Sequence, residues 1–488
     1  MSGGKRLDEA VYELLRDALD RFRDDPRAVG HLRHQLDRLE APLHVAIAGP
    51  WQSGKSTALN AIMGEEVAPV EVPEGRCVLT WYEDAPHPRA TAYSSAGPPQ
   101  VLAVTKSPTG MRVDLVGLRP GEVDDIVVRW PTRALRQATL IDTPAVAPPG
   151  EDGRAPVLDR ILRDADAVLY LTRDGRDSDL QILQATRTGV VDQAAPANVI
   201  LVLSRADEFN GGRVDALLTA RQLARRLRRD PRVDALCVNV VALSGLVGLA
   251  GRLMGESDFA ALAALAGTPR GELEQSLLSA ERFLTTTTPP ARLDAGVRAA
   301  LLDRFGLFGV RLATTLIRTG CDSRVRLSAE LIRRSGFTEL RESMNRCFVD
   351  RCDVLKARSA LAALEALLRA EPRPGGTDLL ARIERILATT HDFRELRLLA
   401  SLQDAAGTVD PDLLPEAQRL LGGNGTALPA RLGVEHDTTP EQLWRLAFEA
   451  LRRWQGRAED LRLLLPQRRA ARVVVRSCEG MLAALTAR

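Results

Sequence analysis

The residues best suited to chemistry stand together in Gly49-Pro-Trp-Gln-Ser-Gly-Lys-Ser-Thr57, which fits G-x-x-x-x-G-K-[ST]. A glycine loop of this kind turns successive backbone N–H groups toward an anion, and the helix it opens adds the positive end of its dipole. Lys55 is placed to reach the β- and γ-phosphates of a nucleotide, and the Ser56 hydroxyl to hold Mg²⁺. Gly49, Gln52, Ser53, Gly54 and Thr57 complete the cradle. Lysine occurs only at Lys5, Lys55, Lys106 and Lys356 in a chain otherwise rich in arginine. A compact ammonium fits inside a phosphate loop where a forked guanidinium does not.

A phosphate loop alone does not separate ATPases, kinases and GTPases. Three later stretches narrow the choice. Asp142-Thr-Pro144 stands where a GTPase brings an aspartate toward Mg²⁺ and senses the γ-phosphate through a backbone N–H. Ser204-Arg-Ala-Asp207 stands where GTPases carry [NT]-K-x-D. There Asp207 would accept from the N1–H and exocyclic amine of guanine, a contact adenine cannot supply, and Arg205 could lie over the base. At Ser244-Gly245 a backbone N–H could meet the guanine oxygen. Each tetrapeptide is weak alone; in this order, each ending an apolar strand, they point to guanine nucleotide and against an ATPase or kinase.

Those residues need strands behind them. His44–Ala48 reads as a buried strand ahead of the loop, and 56–63 as a helix ended by Gly64. Val123–Trp130 and Ala138–Asp142 read as adjacent strands. Ala165–Leu171, Val199–Leu203 and Leu236–Val241 read as three more, alternating with helices. That pattern predicts an α/β domain with a mostly parallel sheet and helices on both faces. Pro86–Pro99 reads as a loop or an edge hairpin. Ahead of this domain, Leu7, Val11, Leu14, Leu15, Ala18, Leu19 and Phe22 recur at helical spacing, and Leu32, Leu36 and Leu39 mark a second helix. After Gly255 strands disappear. Phe337–Ala370, free of Pro and Gly, reads as the longest helix. Ala405–Pro440 is irregular; Thr439-Pro-Glu-Gln442 then opens a helix carrying Trp444, Ala447, Phe448 and Leu451. The apolar stripes at the two ends of the chain are expected to bury one another.

At this point a resemblance enters. The run Gly49 to Gly64, Leu79-Thr-Trp-Tyr82, Leu140-Ile-Asp-Thr-Pro144 and Leu203-Ser-Arg-Ala-Asp-Glu208 resembles the bacterial dynamin-like GTPases, nearest to the actinobacterial isoniazid-inducible kind. Leu301–Val310 and Ser335 through Arg358 resemble the helical region of that group. The resemblance spans most of residues 6–370. It implies neck helices at 1–40, a GTPase domain at 41–255, and a helical neck and trunk at 256–488, with a membrane tip at 371–378 or 405–440. It also implies GTP or GDP with Mg²⁺, self-association or association with a related dynamin-like chain, and peripheral contact with anionic lipid at the inner face of the plasma membrane.

Two departures from that family's pattern bear on turnover. Arg76 falls where the family carries a threonine that completes the Mg²⁺ site, and no Ser or Thr lies between Gly64 and Thr80. Ala145 replaces the glycine of D-x-x-G, and its Cβ would clash if the backbone had to turn left-handed. Together they predict slow hydrolysis with binding largely intact. Arg76 could instead neutralise transition-state charge, as arginine fingers do. The rival function is a hydrolytically impaired, guanine-nucleotide-binding scaffold that works with a more active paralogue.

Composition sets the remaining bounds. The 488 residues, 45% apolar and 27% charged, are ample for several domains with a large core. A net charge of +2 gives no global pull toward nucleic acid. Six cysteines without CxxC spacing read as reduced, buried thiols of a cytosolic protein, and the first residues read as no signal segment. Arg462–Arg476 is a basic stretch able to touch anionic headgroups, or simply a solvated helix face. His31 and His34, without a carboxylate pair, read as surface residues.

Overall fold

The computed structural model describes residues 7–68, 78–94, 97–107, 110–114, 123–146, 156–185, 191, 198–234, 236–285, 293–404, 409–435 and 437–486. The chain opens with two helices, α1 (Leu7–Arg21) and α2 (Pro26–Glu40). Asp25 caps α2 by accepting from the N–H groups of Arg27 and Ala28. Strand β1 (Leu43–Ala48) follows directly and leads through the glycine loop into α3 (Lys55–Met63). Next come β2 (Leu79–Asp84), β3 (Arg89–Ser94), β4 (Gly97–Ser107), β5 (Gly110–Asp114), β6 (Asp125–Trp130) and β7 (Ala138–Asp142). The α/β pattern then runs α4 (Pro156–Asp164), β8 (Ala167–Thr172), α5 (Asp177–Ala185), β9 (Val199–Leu203), α6 (Ala216–Leu227), β10 (Asn239–Ala242) and α7 (Gly245–Leu253).

These strands form one sheet in the order β10-β9-β8-β1-β7-β2-β6-β3-β4-β5. From β10 to β7 every pairing is parallel. Beyond β7 the sheet is mostly antiparallel, with β2 and β6 parallel to each other. Parallel strands buried on both faces read as unbroken apolar runs, which is why Val199–Leu203 was legible to the residue. Strands β6 and β7 are not neighbours. Strand β2, whose Thr80–Tyr82 run alternates poorly, inserts between them, antiparallel to β7 and parallel to β6. Pro86–Pro99 holds β3 and the start of β4, an antiparallel pair that is interior, because β6 pairs with the other side of β3 and β5 closes the edge beyond β4.

Alternation along β1 divides the core: Val45 and Ile47 face α3, while Ala46 and Ala48 face the opposite layer with Leu158, Leu180 and Ala220 of α4, α5 and α6. The rest of the chain is helical: α8 (Glu256–Ala266), α9 (Arg270–Ser276), α10 (Ala280–Thr285), α11 (Ala295–Arg318), α12 (Arg324–Arg334), α13 (Phe337–Cys347), α14 (Cys352–Ala370), α15 (Gly376–Thr389), α16 (His391–Asp404), α17 (Leu414–Leu420), α18 (Leu428–Leu432), α19 (Pro440–Glu459) and α20 (Leu465–Thr486). The fold is a P-loop α/β domain joined to a long helical bundle.

Phe337–Ala370 is two helices, not one. Phe348 turns into the sheet core and a 3-10 turn at Val349–Arg351 separates α13 from α14. No Gly or Pro marks the break; tertiary packing of one aromatic makes it. The N-terminal stripe also finds a different partner. Leu14, Leu15, Ala18 and Phe22 pack against Leu361, Leu364 and Leu368 of α14 and Leu379 and Ile383 of α15. Helices α19 and α20 build a separate core with α16, α17 and α18, in which Leu451, Trp454 and Val474 are buried. Trp444 and Phe448 stay exposed and stack on each other, their ring centroids 5.1 Å apart.

Candidate nucleotide site

The glycine loop sits at the C-terminal end of β1. Gly49 has φ 151°, and a Cβ there would lie 2.3 Å from the Leu171 carbonyl oxygen and 2.8 Å from Ser53 Oγ, so no other residue fits. Gln52 (φ 56°) and Gly54 (φ 85°) are left-handed, which rolls the loop over the start of α3. Gly54 supplies no side-chain cap, leaving the first N–H groups of α3 without one. The Lys55 ammonium donates to the carbonyls of Gly49 and Pro50, both at 3.1 Å. Burial pulls its pKa below the usual lysine value, with the Asp142 charge opposing. Ser53 Oγ is enclosed and has no partner. Ser56 and Thr57, on the first turn of α3, remain partly exposed.

Asp142 ends β7, in register with Ile47 of β1 on one side and Thr80 of β2 on the other. Its Oδ1 is enclosed and unpartnered. Burial pushes its carboxyl up to about 6, against the pull of Lys55 and the Thr143 N–H. The hydroxyl of fully buried Tyr82 is also without a partner, and its pKa is raised by burial and by the Asp142 charge. The chain after β7 lies against the loop: Thr143 Oγ1 donates to the Ile47 carbonyl at 2.9 Å, and Val146 N–H to the Gly49 carbonyl at 3.0 Å. Ala145 keeps a negative φ here; among the described non-glycine residues only Gln52, Arg205 and Asn210 are left-handed. Its Cβ therefore meets no left-handed strain in this conformation. Arg76 lies outside the described residues.

The ends of β9 and β10 bring the remaining side chains to the same edge. The Ser204 hydroxyl donates to the Thr172 carbonyl at 3.0 Å, a bond that fixes the strand end. Arg205 (φ 50°) pairs with Glu208 at 2.6 Å, and its Cγ lies 4.0 Å from where a Cβ of Gly54 would be, so its stem runs beside the loop. Ser244 Oγ donates to Asp207 Oδ1 at 2.6 Å while accepting from the Val247 N–H at 3.3 Å as the cap of α7. Gly245 packs on Thr57, where an added Cβ would sit 3.2 Å from Thr57 Cγ2. Loop, carboxylate and cap thus share one corner of the sheet.

Over 492 aligned positions the chain is 36% identical to the isoniazid-induced protein IniC of Mycobacterium tuberculosis, in two strains, covering 98% of this chain and 99% of that protein. The chain belongs to this isoniazid-induced, dynamin-like family. No protein-family model matches it. Two solved chains, from work on an oligomerised bacterial dynamin pair that senses and tethers membranes at long range, align over 100% and 99% of this chain and 91% and 75% of their own. Their identities are 13% and 12% and their TM-scores 0.33 and 0.29, too slight a likeness to bear on the fold.

The side chains at this corner suit a phosphate and a divalent cation. The enclosed oxygens of Ser53 and Asp142 lack partners, and the Lys55 ammonium is spent on loop carbonyls that a phosphate would replace. Ser56 and Asp142 are the side chains that would hold the cation. Sequence reasoning missed two contributors. Tyr82 leaves its hydroxyl beside Asp142, and Ser335 accepts the Ser244 N–H through its carbonyl at 2.8 Å. The only signal for the second was Gly336, a glycine between two helical stretches.

Proposed function

We propose that this chain is a GTPase that binds GTP and GDP with Mg²⁺ at this corner and turns over GTP slowly. Nucleotide state is coupled to association with like or related chains and to remodelling of an anionic membrane, at the cytoplasmic face of which the protein acts peripherally. Among the described residues no helix is long and apolar enough to cross a membrane. The observation that carries the reading is the Asp207 carboxylate, held by Ser244 at the end of β9 beside the phosphate loop. Its free acceptor capacity suits the paired N–H donors of guanine.

In this reading Lys55 releases the Gly49 and Pro50 carbonyls and turns to phosphate oxygens, where its charge is worth more in a desolvated loop than in water. The cation held by Ser56 and Asp142 supplies charge neutralisation of the phosphates. Asp207 reads the base edge and the Arg205 stem covers the base face. Turnover is slow because no hydroxyl between Gly64 and Thr80 is available to orient water, while Thr80 itself is buried in β2. Nucleotide state can reach the helices through the start of β1. Asp166 accepts the His44 N–H and pairs with buried Arg38 at 2.5 Å, and Lys356 of α14 donates to the carbonyls of Leu39 and Ala41.

The test is base preference. Wild-type protein is expected to bind GDP far more tightly than ADP. Asp207→Asn, which turns the acceptor into an amide, is expected to shift preference toward xanthine nucleotide. Equal affinity of the wild type for ADP and GDP would overturn the assignment.

A further inference from the structure

The loop that follows Asp207 is held in an unusual backbone state. Asn210, Gly211 and Gly212 are left-handed in succession, with φ 51°, 68° and 68°. L-residues enter that region singly and at a cost, so a run of three that begins on an asparagine needs outside support. Local bonds supply part of it. The Gly212 N–H donates to the Phe209 carbonyl at 3.0 Å, and Asn210 Nδ2 to the Asp215 carboxylate at 3.3 Å. The run folds the loop back on itself, so that a Cβ at Gly212 would lie 3.4 Å from the Asp207 carbonyl oxygen. Where this loop stands therefore decides where the Asp207 carboxylate stands.

The remaining anchor comes from the helical bundle. Arg311 of α11 donates through Nη1 to the Gly212 carbonyl at 3.0 Å, and through Nη2 to the carbonyl of Leu277, just past the end of α9. Burial lowers its pKa from the usual arginine value, as expected of a cation placed for its donors and not for a salt bridge. Five residues earlier the same helix breaks at Gly306 (φ 63°, ψ 170°), a conformation reserved for glycine. The kink brings α11 onto α7. A Cβ at Gly306 would stand 2.9 Å from Leu246 Cδ2, and one at Gly309 3.8 Å from Val247 Cγ2. Leu246 and Val247 directly follow Ser244 and Gly245, and Ser244 holds Asp207. One helix of the bundle thus touches both segments that meet at the Asp207 carboxylate.

We propose that α11 positions the guanine-reading loops, Arg311 by pinning the turn after Asp207 and the Gly306 kink by seating the start of α7. Arg311 then sets base preference without touching the base. The inference rests on the proposed nucleotide reading and adds a positioning residue to it. Linkage is reciprocal, so whatever α11 contributes to base binding the base returns to α11. The contact is the same for GDP and GTP, which share the base, and is separate from anything sensed at the phosphates. Arg318, two turns further along α11, offers a comparison. It donates in the same way to the carbonyls of Ala266 and Thr268, at 2.9 and 2.7 Å, but these lie at the end of α8 and carry no nucleotide residue.

The test uses the full chain and displacement of a fluorescent guanine nucleotide by GDP, ADP and inosine diphosphate, which lacks the exocyclic amine that Asp207 would read. Arg311→Ala is expected to weaken GDP about tenfold and the other two less, so that the preference for GDP over inosine diphosphate falls about threefold or more. Arg311→Lys, able to reach one of the two carbonyls, should fall between. Leu246→Ala, which loosens the kink contact, should narrow the same preference with Arg311 intact. In the nucleotide-free chain, amide hydrogen exchange at 209–214 should quicken in Arg311→Ala. Arg318→Ala should lower the melting temperature comparably and leave every nucleotide ratio unchanged. A GDP-selective wild type whose preference survives Arg311→Ala, or is lost equally in Arg318→Ala, would overturn the inference and leave the proposed function standing. A wild type that binds GDP and ADP alike would overturn both.

Discussion

The nucleotide corner and the α19–α20 turn break opposite rules of folding. At the corner, buried polar atoms go unpartnered: Ser53 Oγ, Asp142 Oδ1 and the Tyr82 hydroxyl. At the turn, apolar side chains go uncovered: Leu461, Leu464 and Leu465. Each costs stability in the isolated chain, the first through desolvation without a hydrogen bond and the second through hydrated hydrocarbon. Both are held in place by a well-satisfied frame: parallel strands under the corner, and a capped, hydrogen-bonded reversal at the turn. The difference teaches what each waits for. Orphaned donors and acceptors in a rigid concavity call for a small, highly charged ligand. Orphaned leucines on a convex knuckle suit the membrane of the proposed function.

The largest expected effect separates the two. Lys55→Ala should weaken GDP and GTP binding about 100-fold or more, near 2.7 kcal/mol, measured by titration with a fluorescent nucleotide. The same variant should leave binding to anionic vesicles within about twofold, because Lys55 lies in the phosphate loop and is bonded only to loop carbonyls. If nucleotide affinity and vesicle binding fall together, corner and turn are not separate sites.

Asp142 sharpens the corner's side of the comparison. Its folded pKa, about 6, stands above the unfolded value, so the folded state holds the proton more tightly. That favours folding at low pH and is progressively lost as pH rises from about 4 through 6. In chelator and without nucleotide, Asp142→Asn should therefore raise stability at pH 7.5 by on the order of 2 kcal/mol. The gain should vanish below about pH 4. Denaturant titrations at the two pH values measure it; an equal gain at both would mean that the carboxylate is not the strained group.

How much of this was legible in the sequence follows from the range of the interactions. The loop from Gly49 to Thr57 and the strand ends at Asp142, Asp207 and Ser244 could be placed because their chemistry depends on short spacing and strand position. The partner of α1 could not. Its stripe specifies that something apolar covers it, and α14 with α15 serves as well on paper as α19 with α20. The break at Phe348 was hidden for a similar reason, since a long-range packing site and no local breaker ends the helix. The α19–α20 turn was half visible: Arg462–Arg476 read as basic, but which of Leu461, Leu463, Leu464 and Leu465 face outward depends on the turn's hydrogen bonds. Arg76 remains a reading of the sequence alone.

The smallest effect lies at the elbow between α12 and α13, which touches the nucleotide corner from the helical side. Gly336 has φ 87°, and a Cβ there would stand 2.0 Å from the Ala242 carbonyl oxygen at the end of β10. Ser335, one residue earlier, takes the Ser244 N–H, and Ser244 in turn holds Asp207. Ala at 336 must push the elbow off β10, loosening Ser244 and with it the carboxylate that reads the base. Gly336→Ala is expected to weaken GDP binding about tenfold, near 1.4 kcal/mol, and to narrow the preference for GDP over ADP. Gly375→Ala is the control. It also has a left-handed φ of 79°, but an added Cβ meets the end of the Arg21 side chain far from the corner. It should cost about 1 kcal/mol of stability and leave GDP binding alone. If both variants lose stability and neither changes the GDP-to-ADP ratio, the elbow is only a packing contact, with no direct hand on the base.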